Sequence, residues 1–519
     1  MLTPFTSIEH DLQSLVKGEC FFDNQTREKY STAASWYKIQ PVGVVFPRDV
    51  QDVQAVVRYC YEHEIPLIAR GAGTGLAGQA IGMGIILDFT QHMNAVVRIS
   101  DTTVEVEPGI VLQTLNQRLA SSGKFFPVDP ASGSLCTIGG MIATNAAGAH
   151  GLKYHATKDH IESLTVVLSN GEVVTIDAPT EHSPSNSTFS NIRNELQTLL
   201  FRNKQLINEK FPKVAKNSSG YNLPDSIAND HLDLRKLIVG SEGTLAIVVG
   251  ASLKLSATPK HRVGALAHFK DYESTVEATV KALDKKPAAI EILDQTYFSL
   301  GSGMGPETDN LLRQDAQTML YFEFEGDLPE ILEEQVLQLK QYLDEFQPLD
   351  YIPLKTERER TMFWSLREEI SKRINLTDAF GKASFIEDCT VPIAQLPAYI
   401  RGLRTILSRH DIRYSAYGHA GAGNIHCATF VDLTNPLHYR VIDAIASEVT
   451  DLVIMLGGTL SGEHGDGYVR TPFLERLYGT EVYRLFEEIK RIFDPRNILN
   501  PGKIVGKQNT TILHDLILT

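Results

Sequence analysis

Six glycines fall within the fourteen residues GAGTGLAGQAIGMG, 71 to 84, directly after the short apolar strand signal PLIA. No other feature of the chain restricts its fold as much. A glycine inside a helix costs about 1 kcal/mol relative to alanine, so this segment reads as a loop. That removes the dinucleotide fingerprint, in which glycines open a helix whose N-terminus faces a pyrophosphate. The segment runs instead into a strand, GIILDFT. Successive backbone N–H groups lining a concavity still bind anions as a nest, and the side chains of Arg70 and Thr74 add further donors. A surface loop of tight turns is the other reading, because glycine is common turn punctuation.

Two further small-residue segments follow. IGGMIATNAAGAHGLKY places Gly139, Gly140, Ala143, Ala146, Ala147 and Gly148 where close approach of backbone to a flat ligand or another backbone needs tiny side chains, with tight helix packing as the other reading. GSEGTL, 240 to 245, precedes the strand AIVVGASLKL. Three glycine loops beside apolar strands fit a long cofactor laid across one domain better than three unrelated turns. Val53, Val56, Val57 and Cys60 predict a helix over 49–64 that Pro66 stops. TTVEVEP alternates as a strand, and Asn170-Gly171 predicts a hairpin. After SATPKHR, 256 to 262, the texture changes to strands and amphipathic helices with few glycines, a separate α+β unit.

Composition narrows the function classes. A formal net charge of −14 argues against a nucleic-acid surface. Five scattered cysteines with no C-x-x-C exclude a zinc ribbon, a ferredoxin-type cluster and a disulfide framework. The N-terminus lacks a basic start and apolar core, so no secretory signal is expected. No run approaches the roughly 18 apolar residues of a membrane span. The expectation is a cytoplasmic protein, with peripheral contact to the inner membrane left open. The mildly apolar tail TTILHDLILT reads as a docking or frayed end.

Glycine-rich segments carrying histidine return late in the chain. GHAGAGNIH places His419 and His426 seven residues apart, and SGEHGDG supplies Glu463 and His464. Neutral imidazoles with a carboxylate suit Zn, Mn or Fe. Without H-E-x-x-H or C-x-x-C, a structural role is the commoner one for a histidine taken by itself. In TMFWSLREEISKRI, Arg367 offers a guanidinium fork for a carboxylate, with a solvated helix face as the other reading.

FPRDVQDVQAVVRYCYEHEIPLIARGAGTGLAGQ, PVDPASGSLCTIGGMIATNAAGAHGLKYHATKDHI, LIVGSEGTL and DPRNILNPGK, taken together and in this order, resemble the FAD-linked oxidase family. That family has the FAD-binding fold of vanillyl-alcohol oxidase and p-cresol methylhydroxylase. Within it, the protein looks like the flavin portion of the D-2-hydroxy-acid dehydrogenases, from about Phe22 to Val505. The resemblance implies an α+β fold with an FAD-binding domain over 1–255 and a substrate domain carrying a metal site over 256–470. A C-terminal segment, 471–519, would pack back on the FAD domain. It implies that Arg70, Gly71, Ala72, Gly73, Thr74 and Gly75 wrap the FAD pyrophosphate. Ser134, Gly139, Gly140, Thr144, Asn145 and Gly148 would line the flavin and its ribityl group. Glu242, Gly243, Thr244 and Ile247 would flank the adenosine, and Asn500 the isoalloxazine. Residues 70 to 78 hold no His or Cys, so a dissociable FAD is expected.

By the same resemblance His419, His426 and Glu463 bind one divalent cation, Zn, Mn or Fe. The reaction it implies removes the hydroxyl proton of a 2-hydroxy acid and passes the C2 hydride to flavin N5. A bound cation acidifies an oxygen ligated to it, and an imidazole of pKa about 6.5 can then take the proton. His464 is the candidate base, with a flavin-packing role as the other reading. Arg367 and Ser371 match the family's substrate-binding helix. Two departures stand out. Ala422 occupies the place of an Asp in the first histidine motif. Ile386 stands where hydroxyglutarate dehydrogenases carry a Lys, leaving Lys382 as the nearest replacement and favouring lactate or glycolate. With no built-in cluster, reduced FAD must hand electrons to a quinone, an electron-transfer flavoprotein, a cytochrome or a separate iron–sulfur subunit. A homodimer is expected. Two rival readings are a flavin subunit dependent on an iron–sulfur partner and a non-redox FAD transferase of the alkylglycerone-phosphate synthase type. The histidine motifs speak against the second.

Overall fold

The computed structural model describes residues 6–177, 187–375, 381–431 and 436–506. The tail TTILHDLILT lies outside these residues. Gly43–Phe46, Leu67–Arg70 and Ile85–Asp88 form a parallel sheet with Ile85–Asp88 at its centre, and Glu19–Phe21 adds an antiparallel edge. The helix Val50–His63 carries the chain from Gly43–Phe46 over to Leu67–Arg70 on the other side of Ile85–Asp88. Asp49 caps that helix on the Asp52 N–H, and Glu64 ends it at φ 54°. Val53, Val56, Val57 and Cys60 are all buried, as their spacing requires.

A second, antiparallel sheet runs in the order Val96–Ile99, Thr103–Val106, Ile247–Lys254, Ile161–Val167 and Val173–Ile176. Its last two strands pair as the hairpin expected at Asn170-Gly171, with Gly171 at φ 82°. The helix Thr480–Phe493 buries Val482, Leu485, Phe486 and Ile489 in the core behind this sheet, beside Leu196, Phe211 and Leu237.

The third sheet is antiparallel throughout and spans Asp350–Leu354, His261–Phe269, Thr318–Gly326, Ala289–Asp294, Arg413–Gly418, Asn424–Val431 and Gly381–Ala383. Side chains alternate between faces along a strand. Leu320, Phe322 and Phe324 therefore enter one core, and Met319 and Tyr321 the other. Both faces are covered, so this antiparallel sheet reads as continuous apolar runs. Among the described residues, no helix is long and apolar enough to cross a membrane.

One correction concerns the second glycine segment. It is not a loop at 139: Ile138–Thr144 is a short helix. Thr137 caps it through the Gly140 N–H, and Gly139 packs where a Cβ would stand 2.7 Å from Pro108 Cβ. Capping and tight packing override the low helix propensity of two glycines.

This segment joins the third sheet through His150. Its Nδ1 lies 2.6 Å from Asp129 Oδ2 and its Nε2 2.9 Å from Glu323 Oε1. Burial pushes the Glu323 carboxyl up, but hydrogen bonds from His150, Tyr321 and Trp364 outweigh it and hold it at about 2. Burial alone would push His150 down; the Asp129 and Glu323 carboxylates reverse this and hold it well above 6.5. Folded Glu323 binds its proton more weakly than the ordinary 4.5, so its stabilisation is complete above that pH and fades as pH falls toward 2. His150 has the opposite sign: its contribution is complete below 6.5 and fades as pH rises through the folded value. Glu323→Gln should flatten the pH dependence of urea unfolding between pH 4.5 and 2, and an unchanged slope would contradict the pairing.

Candidate active site

The first glycine loop is a cradle of free donors. Among the described residues, no N–H of Gly71, Ala72, Gly73, Thr74 or Gly75 meets a protein acceptor. Gly73 holds φ at 70°, and a Cβ on Gly71 would stand 2.1 Å from Thr137 Oγ1. Arg70 packs against the cradle at Gly73, where a Cβ would stand 2.7 Å from its Nη2. Its guanidinium lies 4.9 Å over the Tyr30 ring and reaches the Tyr30 and Ala80 carbonyls, each at 3.3 Å. Gly148 is pressed against Asp129, where a Cβ would be 2.2 Å from the carbonyl oxygen.

The third loop closes on SGEHGDG. Glu242, at φ 54°, accepts from the Asp466 N–H at 2.5 Å and the Gly467 N–H at 3.0 Å. Burial, then the Asp466 carboxylate, pushes the Glu242 carboxyl up to about 8. Thr244 Oγ1 is taken by Tyr221 Oη and the Ser241 carbonyl. Asn500 Nδ2 donates to the Gln79 and Glu242 carbonyls at 3.0 and 2.7 Å. Asn500 Oδ1 and Gln79 Oε1 are buried acceptors without a partner, and Gln79 Oε1 would lie 2.7 Å from a Cβ on Gly75. Free N–H groups with an orphaned acceptor beside them fit a polar, phosphorylated cofactor such as FAD. Ile247 is buried in its strand opposite Val167. Asn145 ends the short helix at φ 50°, accepting from the Lys158 N–H; Thr144 Oγ1 donates back to Gly140 O, and Ser134 is exposed.

Strand Arg413–Gly418 and strand Asn424–Val431 pair in register, with Tyr417 opposite His426. The tight link between them carries His419. Three imidazoles converge on one oxygen: Nε2 of His419, His426 and His464 lie 3.0, 3.5 and 3.7 Å from Glu463 Oε1. The opposite ring nitrogens are held from outside. His419 Nδ1 is 2.6 Å from Glu291 Oε1, His426 Nδ1 is 3.0 Å from the Glu387 carbonyl, and His464 Nδ1 is 2.6 Å from Glu387 Oε2. An outer acceptor on one nitrogen fixes the tautomer and turns the other lone pair inward, as metal-binding histidines require. The donor set therefore fits a divalent cation. Ligating atoms of Asp388, His426, Glu463 and His464 also lie within 4.8 Å of one another, but Asp388 is already engaged. It accepts from Asn424 Nδ2, Ser461 Oγ and the N–H groups of Glu463 and His464 at 3.0, 2.6, 3.0 and 2.8 Å.

Residues 41–177 match the family model of an FAD binding domain, and residues 258–504 that of the C-terminal domain of FAD linked oxidases. The glycolate oxidase subunit GlcD of Bacillus subtilis is 30% identical, over 95% of both chains. The chain belongs to the FAD-linked oxidase family. D-2-hydroxyglutarate dehydrogenase of Escherichia coli is 31% identical over 91% of this chain, which spans about half, 49%, of that relative's length. In fold, this FAD-linked oxidase is similar to p-cresol methylhydroxylase, with a TM-score of 0.71 at 16% identity over 96% of each chain. It is also similar to 4-ethylphenol oxidase from Gulosibacter chungangensis, with a TM-score of 0.69 at 16% identity over 96% of this chain and 97% of the other.

Arg367 lies on the helix Glu357–Asn375 and reaches the same cluster. Its Nη2 pairs with Glu291 Oε2 at 2.7 Å, while its buried Nε has no partner among the described residues. Ser371, one turn on, meets Tyr297 Oη at 2.9 Å, and that hydroxyl also donates to the Arg367 carbonyl. Lys382 pairs with Phe430 at the sheet edge, and its side chain lies outside the described residues. Ile386 is packed in the apolar core. Ala422 is buried in the turn between the two histidine strands.

Glu291, Glu387, Asp388 and Lys216 also belong to this cluster of the FAD-linked oxidase, and the sequence alone does not point to a role for them. The only local signal is the acidic pair in SFIEDCT, set among apolar residues; Glu291 and Lys216 have none. Burial would raise Glu291, but Arg367 and His419 hold it down at about 2. His464 is lowered by burial and raised further by Glu387 and Asp388, to about 9. Asp388→Ala would orphan three of its four donors, because Asn424 Nδ2 keeps the Asp388 and Cys389 carbonyls. At about 1–3 kcal/mol for each buried unsatisfied group, urea unfolding should show a loss of at least about 3 kcal/mol. A loss under about 1 kcal/mol would show that water replaces the carboxylate.

Proposed function

We propose that this protein is an FAD-dependent dehydrogenase that oxidises a small D-2-hydroxy acid to the 2-oxo acid. The observation that carries the reading is the convergence of three imidazole Nε2 atoms on Glu463 Oε1, beside the unpartnered Nε of Arg367. FAD, when bound, supplies the two-electron acceptor for the C2 hydride. The nest at 71–75 would hold its pyrophosphate by backbone N–H groups. His419, His426 and Glu463 would hold a divalent cation, Zn, Mn or Fe, whose Lewis acidity acts on the substrate oxygen. Arg367 binds the substrate carboxylate, using the Nε that Glu291 does not occupy. Glu291 fixes both Arg367 and His419, so it sets the distance between carboxylate and cation. His464, raised to about 9 by Glu387 and Asp388, would take the hydroxyl proton at Nε2 once a bound cation beside it opposes those carboxylates, with Nδ1 anchored on Glu387. Ser371 and Tyr297 support the Arg367 turn.

Ile386 in the core offers no charge for a distal carboxylate, which favours lactate, glycolate or another monocarboxylate over hydroxyglutarate. The same reading puts the enzyme in the cytoplasm as a homodimer, with peripheral membrane contact where a quinone is the acceptor. A second reading is a subunit that needs an iron–sulfur partner. It is favoured by the match over 95% of both lengths to a protein named as an oxidase subunit. Co-purification with a cysteine-rich partner that restores quinone reduction would select it.

The test is anaerobic reduction of the flavin across a panel of 2-hydroxy acids, with metal analysis of the same sample. A small D-2-hydroxy acid should bleach the flavin. His419→Ala should slow this by at least about 100-fold and lose the metal together. A flavin that no 2-hydroxy acid reduces, with Zn or Mn supplied, sinks the reading.

A further inference from the structure

Lys216 is only 5% exposed, a rare state for a lysine unless it is paired. Its Nζ stands 2.7 Å from Glu463 Oε2 and donates to the Gly148 carbonyl at 2.8 Å. Its stem crosses Gly151, where a Cβ would be 2.7 Å from Lys216 Cε. The residues that follow are zipped to the loop carrying Glu463. The Ser218 N–H donates to the Ser461 carbonyl at 2.8 Å, and Ser461 N–H donates to Ser219 Oγ at 3.0 Å. The Gly220 N–H donates to Asp466 Oδ2 at 2.6 Å. Lys216 therefore cannot move independently of Glu463.

The two oxygens of Glu463 are divided between two tasks. Oε1 faces the three imidazoles, and Oε2 is held by the ammonium. A carboxylate with both oxygens free can chelate a divalent cation with the pair. A carboxylate whose second oxygen carries an ammonium offers one oxygen and less negative charge. We propose that Lys216 is a positioning residue that makes Glu463 a single-oxygen ligand and tempers its charge, so that the bound cation is held less tightly and polarises the substrate oxygen more strongly. The proposal rests on the metal reading above.

This predicts an unusual sign. A side chain that merely supports the fold loosens the metal when it is removed. Loss of the Lys216 charge should tighten it, because Glu463 gains a free oxygen and the site loses a positive neighbour. The experiment uses purified flavoprotein with Co(II) as the probe, read by its d–d absorption beyond the flavin bands, with flavin content as the check on folding. In Lys216→Met the Co(II) dissociation constant should fall about tenfold. The d–d band should weaken as coordination number rises, and substrate-dependent flavin reduction should slow about tenfold. Lys216→Gln keeps a donor for the Gly148 carbonyl and loses only the charge, so it should move the same way and carries the test if Lys216→Met loses its flavin. Lys216→Arg should restore the wild-type Co(II) band and affinity. Weaker or unchanged Co(II) binding with an unaltered band in the neutral variants overturns the role of Lys216. A wild-type protein that takes up no Co(II) overturns the metal reading itself, and the proposal with it.

Discussion

Asp388 and Glu387, adjacent and almost fully buried, hold the site in one piece. Asp388 gathers the backbone of Glu463 and His464, the Ser461 hydroxyl and the Asn424 amide. Glu387 anchors His426 through its carbonyl and His464 and Arg470 through its carboxylate. Two consecutive residues thus bind both histidine motifs to each other. Without them the strand Asn424–Val431 and the SGEHGDG loop would meet chiefly through His426 and Glu463.

Such a site is electrostatically expensive. Glu291, Glu387, Asp388 and Glu463 are all nearly inaccessible to water, and an isolated buried carboxylate costs several kcal/mol. The charges are compensated locally. Arg367 and His419 face Glu291, Arg470 and His464 face Glu387, and Lys216 faces Glu463. Burial pushes each of Glu291, Glu387 and Glu463 up, yet these partners hold all three below the ordinary range. Breaking one partner leaves a bare charge in a dry interior, which is why the site is a network and not a set of separable contacts. The His150 bridge works in the same way between the second glycine segment and the third sheet.

Much of the chemistry was legible along the chain because it is local. The nest at 71–75 shows as glycines, and the imidazoles as GHAGAGNIH and SGEHGDG. Legibility failed where a partner is remote. Glu291 is 128 residues from His419, and Lys216 is 247 from Glu463. Nothing local marks a buried ion pair of that span. The helix over 138–144 was also hidden, because Thr137 and Pro108, not propensity, stabilise it.

From the residues alone it follows that the glycine segment 71–84 cannot open a helix, that its backbone N–H groups are available to an anion, and which residue types could bind a cation. These rest on backbone sterics and side-chain chemistry, which act within a few residues. Packing alone settles which oxygen of Glu463 faces the histidines, that Arg70 braces the cradle through Tyr30, and that Glu291 links the Arg367 guanidinium to His419. Those depend on which distant strands and loops share one dry volume, and no local pattern encodes that.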